Sequence, residues 1–104
     1  MSATFKRKAA TANTAGVIVH TTPVNTTALI IGLVLANKGN AAETADVDID
    51  GTYIVKNAPI PIGSTLSVLD GKVVVQQNEV VTITASSNNV IDATVSVLEL
   101  WVDI

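Results

Sequence analysis

Apolar and polar residues alternate one by one through much of this chain, a period of two that suits a pleated strand and excludes an amphipathic helix. In "ETADVDID" (43–50), Ala45, Val47 and Ile49 fall on one side, and Thr44, Asp46, Asp48 and Asp50 on the other. In "EVVTITASS" (79–87), Val81, Ile83 and Ala85 oppose Thr82, Thr84 and Ser86. In "VIDATVSV" (90–97), Ile91, Ala93, Val95 and Val97 oppose Asp92, Thr94 and Ser96. Turn residues separate these runs: "NKGN" (37–40), "SSNN" (86–89), and the pairs Asp50-Gly51 and Asp70-Gly71, which suit two-residue hairpin loops with positive φ. Hydrophobic residues make up 48% of the chain but aromatics only 3%, so the apolar content is Val, Ile, Leu and Ala, with Thr beside it. Branched side chains fit a sheet better than a helical turn. The 104 residues suit one core. The expected fold is all-β: an antiparallel β-sandwich of about eight strands, immunoglobulin-like or jelly-roll.

The pattern also predicts details. Residues 1–14 lack a period and read as an extended N-terminal arm on a sandwich spanning 15–104. In the Asp50-Gly51 hairpin, Ile49 faces Thr52, Asp48 faces Tyr53 and Val47 faces Ile54. "NAPIPIG" (57–63) reads as an extended crossover, because Pro59 and Pro61 cannot donate to a ladder. The Asp70-Gly71 pair predicts a second hairpin with Val68 facing Val73 and Leu66 facing Val75. "TTALIIGLVLAN" (26–37) is apolar at both parities, which predicts a strand covered on both faces with a bend or close approach at Gly32. At the end of the chain the apolar parity changes to Leu98, Leu100, Val102 and Ile104. That predicts a β-bulge near Val97-Leu98, or an end buried on both faces.

Charge is sparse and asymmetric. Only 14% of residues are charged, which predicts that part of the outside is covered by other subunits. Lys6, Arg7 and Lys8 are half of the six basic residues, and from residue 9 onward three basic residues face nine acidic ones. Such an arm docks on an acidic neighbour or stays solvated. Three charges without interleaved aromatics argue against nucleic acid. There is no cysteine and no apolar run long enough to span a bilayer as a helix, and no apolar segment follows the basic cluster as in a signal peptide.

Chemistry is hard to find. Asp46, Asp48, Asp50 and Gly51 imitate the start of a calcium loop, but position twelve is Asn57 rather than Glu and neither flank is helical. His20 is the sole histidine, and no nucleophile elbow, phosphate loop or zinc spacing accompanies it. No catalytic residue, cofactor, metal ligand or small-molecule substrate is assigned. Trp101 reads as a core residue or as an aromatic anchor at an interface. The apolar end, Val102-Asp103-Ile104, reads as tucked into a sheet or a neighbour. The interface residues selected are Phe5, Lys6, Arg7, Lys8, Leu29, Ile31 and Trp101.

The stretches "YIVKNAPIPIGSTL", "LDGKVVV", "NEVVTITAS" and "VIDATVSVLEL", with "TTALIIGLVLAN" upstream, cover most of residues 26–100. Together they resemble small β-sandwich virion proteins of tailed bacteriophages, of the marine phage and cyanophage type. The resemblance implies a non-enzymatic particle component located in the virion and assembled in the host cytoplasm. Its implied partners are copies of itself and other virion proteins, such as the major capsid or neck and tail proteins. Capsid decoration is the favoured role. A neck or collar protein, a tail or fibre accessory, and a host-surface carbohydrate-binding module are the alternatives.

Overall fold

The computed structural model describes residues 2–68 and 71–101. Asp70, Val102, Asp103 and Ile104, on which several expectations rest, lie outside those residues. The described strands are β1 (Ser2–Thr11), β2 (Val17–Thr21), β3 (Thr26–Asn37), β4 (Glu43–Ile49), β5 (Thr52–Ile60), β6 (Thr65–Ser67), β7 (Val73–Val75), β8 (Val80–Ala85) and β9 (Ile91–Trp101). They form two antiparallel sheets, ordered β1-β9-β3-β6/β7 and β2-β8-β4-β5, and the described residues contain no helix. β6 and β7 pair with successive stretches of the same edge of β3, so they count as one interrupted strand. Eight strands result. Except at the β4–β5 hairpin, each connection between them crosses from one sheet to the other. That topology is the jelly-roll alternative of the sandwich.

The core is aliphatic. Ile30, Leu33, Leu35, Val47, Ile60, Val75, Val81, Ile83, Ile91, Val95 and Val97 are buried between the sheets. Val81, Ile83 and Ala85 face inward as their alternation requires, as do Ile91, Ala93, Val95 and Val97. The Asp50-Gly51 loop has φ values of 51° and 89°, both positive as a type I′ turn requires, and Ile49 faces Thr52 and Asp48 faces Tyr53.

Several register expectations change. Val47 pairs with Val55 rather than Ile54, because the ladder shifts beside it. The segment read as a crossover continues β5 to Ile60, with Thr44 opposite Pro59. β5 is an edge strand, where proline costs no ladder bond on the solvent side. The second hairpin does not form. Leu66 pairs with Leu35 and Val75 with Ala28, seven residues apart on β3, or about 23 Å along an extended strand. Gly71 therefore belongs to a break in an edge strand, and β3 supplies the partner that each half needs.

The parity change at the end of β9 also has a different origin. Ile91, Ala93, Val95, Val97, Glu99 and Trp101 stay on one side without interruption. The irregularity lies in the neighbouring strand: Ile30 pairs with Val97 and Gly32 with Ser96, leaving Ile31 as the extra residue of a bulge. Before it Ala28 and Ile30 face the core, and after it Leu33 and Leu35 do. β3 is thus apolar at both parities because it changes phase, and Ile31 and Val34 are left 40% and 39% exposed.

Residues 2–11, set apart in the sequence as an arm, run as β1 beside β9, in register from Ser2–Trp101 to Thr11–Asp92. The chain then crosses to the other sheet. Asn13 Oδ1 accepts the N–H groups of Ala15 and Gly16, and the Ala85 N–H donates to the Asn13 carbonyl. Gly16 has φ +100° and lies against Thr82, whose Cγ2 would be 3.1 Å from an added Cβ. A side chain is excluded there both by φ and by space.

The bulge makes a sharp prediction. Leu33→Ala removes a buried side chain and is expected to cost about 2–5 kcal/mol in chemical denaturation. Ile31→Ala, two residues away at the bulge, should change stability by no more than about 0.5–1 kcal/mol.

Candidate interaction surface

The acidic strand face is engaged in local bonds. Asp46 Oδ1 accepts the Asn57 N–H at 2.6 Å, and Oδ2 accepts Lys56 Nζ at 3.3 Å. Asp48 Oδ2 accepts the Gly51 N–H, and Asp50 Oδ1 the Val80 N–H. Asp46 and Asp48 thus stabilise the β4–β5 bulge and turn, and Asp50 ties that turn to the start of β8. Among the described residues no three His, Cys, Asp or Glu side chains are grouped to hold a metal.

A polar cluster joins β1, β9 and β2. Glu99 sits on the core side of β9, 2% exposed. Its Oε1 lies 2.7 Å from Lys6 Nζ, and its Oε2 lies 4.0 Å from Lys8 Nζ. Lys8 Nζ also donates to His20 Nδ1 at 2.9 Å. An ammonium only donates, so Nδ1 must be the unprotonated nitrogen and Nε2–H donates to Thr22 Oγ1 at 2.9 Å. Burial, and then the Lys8 charge, hold the His20 pKa below its ordinary 6.5. The ring is therefore neutral in the fold, and it links β2 to β1.

Of the selected interface residues, Lys6 and Lys8 turn inward to this cluster, while Phe5 and Arg7 turn outward. Directly opposed residues of antiparallel strands share a face. Phe5 pairs with Leu98, Leu98 with Leu29, and Leu29 with Val74. These four residues form one unbroken apolar row across the outer face of the β1-β9-β3-β7 sheet. Leu100 lies one rung to one side, and Ile31 borders the other. Phe5 is 72% exposed and Val74 55%, and the two leucines between them are half-buried. Trp101 lies on the opposite side of β9, with Glu99. Leu98 and Val74 were not among the selected interface residues. Pairing alone makes them neighbours of Phe5 and Leu29.

The strand edges are protected. β1 carries the inward charges Lys6 and Lys8. β5 carries Lys56, Pro59 and, at Asn57, a positive φ of 52°. β2 has five residues and a register shift at Val19. β6 and β7 have three residues each. Short, charged, bulged or proline-bearing edges resist strand addition. The apolar row has no such protection.

No protein-family model matches the chain, and neither does any curated protein. Solved structures do. A chain from work on Bacillus endospore appendages, described as a family of disulfide-linked pili, superposes with a TM-score of 0.59 at 15% identity, covering 98% of this chain and 88% of that one. A chain from an acid-stable capsid structure of a Helicobacter pylori bacteriophage superposes with a TM-score of 0.60 at 11% identity, covering 100% and 95%. At these identities the likeness is one of fold.

The His20 cluster predicts a pH dependence. The unfolded chain takes up a proton near pH 6.5, whereas the folded one resists it to lower pH. Stability from this site is therefore complete above about pH 6.5 and falls as pH drops toward the lowered folded value, by at most about 1.4 kcal/mol per pH unit for one proton. Denaturation curves between about pH 5 and 7.5 should show this slope, and it should be absent in His20→Gln.

Proposed function

We propose that this chain is a non-enzymatic structural component of a tailed-phage virion, a capsid decoration protein that attaches to the head lattice. The observation that carries this reading is the apolar row Phe5–Leu98–Leu29–Val74 on an open sheet face, beside strand edges that are blunted among the described residues. Such a protein is suited to bind through a face rather than by donating or accepting a strand. The fold shared with a phage capsid chain supports a particle role, and the marine-phage affinity rests on the resemblance of the strand sequences alone. The partners in this reading are other virion proteins and further copies of the chain, and its location is the virion. Neck, collar, tail and fibre positions demand the same physical properties and rank next.

A carbohydrate-binding module fits less well. Sugar platforms use aromatic faces side by side, but Phe5 and Tyr53 lie on the outer faces of different sheets and Trp101 lies on the core side of β9. Glycan arrays should show no specific binding.

The direct test is on particles. Purified heads should contain the chain in many copies at equivalent lattice positions, and heads lacking it should rupture at lower temperature. Purified chain added back should restore their stability. Mature particles that contain none of it would sink the reading.

A further inference from the structure

We propose that the outer face of the β1-β9-β3-β7 sheet is covered by the same face of a second copy, in an isologous two-fold dimer. This rests on the reading that the face is an interface, but not on its being in a virion. The first argument is area. β1, β9, β3 and β7, of 10, 11, 12 and 3 residues, present roughly 600 Å² of outer face at about 3.3 Å per residue and about 4.8 Å between strands. A two-fold axis near the Phe5 row, toward one end of the sheet, leaves about two-thirds of it overlapped. That buries roughly 800 Å² in total, the size of a weak, transient interface. The dimer should therefore be reversible and concentration-dependent.

The second argument is charge. Among the described residues, Arg7 is one rung from Phe5 on β1, and Lys72 is exposed two residues before Val74, at the opposite rim. At the far end Asp92 is already paired with Lys38 at 3.1 Å. The centre of the face carries no charge to desolvate. A two-fold axis running across the strands near the Phe5 row sets Arg7 and Lys72 against uncharged residues of the second copy. An axis along the strands would set Arg7 against Lys72. The crossing axis is therefore favoured, and it brings Leu98 opposite the second copy's Leu98. The outer face of the other sheet is a poorer partner, because the row Ile18–Thr82–Asp48–Tyr53 would press a carboxylate against leucine.

The chain has no cysteine, so a single introduced thiol reports unambiguously. Sedimentation of the wild-type chain over a concentration series should resolve monomer and dimer. Phe5→Glu and Val74→Glu replace exposed side chains, so melting temperatures should hold. Each should raise the dimer dissociation constant by roughly a hundredfold, since like charges then face each other or apolar surface. Leu98→Cys should be joined to its counterpart by a bifunctional thiol reagent about 10 Å long, the spacing of stacked sheets, and Thr82→Cys, on the other sheet, should not. A chain that stays monomeric throughout overturns the proposal, even if it decorates phage heads. So does a dimer indifferent to Phe5→Glu, or one that cross-links through Thr82→Cys and not Leu98→Cys. A dimer with the predicted cross-link that is absent from every particle upholds the pairing and removes the virion role.

Discussion

The pairing of β9 on both sides is the constraint on which the rest of the structure depends. β1 and β3 hold β9 along nearly its whole length, and its inward residues Ile91, Ala93, Val95 and Val97 lie at the centre of the core. A strand bonded on both sides cannot slip by one residue without turning those side chains out into water. Its regularity is what passes the irregularity to β3. The phase change of β3 is absorbed by the Ile31 bulge, while the unbroken alternation of β9 holds Leu98 outward beside Leu29.

Charge placement guards the edges of so aliphatic a molecule against open-ended strand pairing. Lys6 and Lys8 face inward on the edge strand β1, where a second molecule adding to that edge would have to accommodate them. Glu99 makes this inward charge tolerable by facing both ammonium groups from the buried side of β9. His20 extends the cluster to β2, so the cluster that blunts the edge also ties β1 to the other sheet. The outer face of the same sheet receives none of this protection, and the contrast between guarded edges and an open face is the basis of the functional reading.

Much of the fold was legible in the residues. Strict alternation with β-branched side chains dictated strands in 43–50, 79–87 and 90–97, and Asp50-Gly51 dictated its turn because φ is positive at both positions. These features are local, set by the geometry of one strand or four consecutive residues. Asp70-Gly71 carries the same local signal, yet its flanks pair with β3 instead of each other, since the long strand β3 offers both halves a partner. Residues 2–11 lacked a visible period because their core side carries Lys6 and Lys8, whose charges face Glu99, more than ninety positions away in the chain.

The sequence by itself determined that the chain is a β-sandwich with an aliphatic core and no assembled catalytic signature, because side-chain period and turn stereochemistry act over a few residues. Only the tertiary structure decided between immunoglobulin-like and jelly-roll order, moved the bulge from β9 to β3, and joined Phe5, Leu98, Leu29 and Val74 into one row. Those outcomes depend on which strands become neighbours. Pairing across dozens of residues is settled by the closing of a shared core, which no single segment encodes.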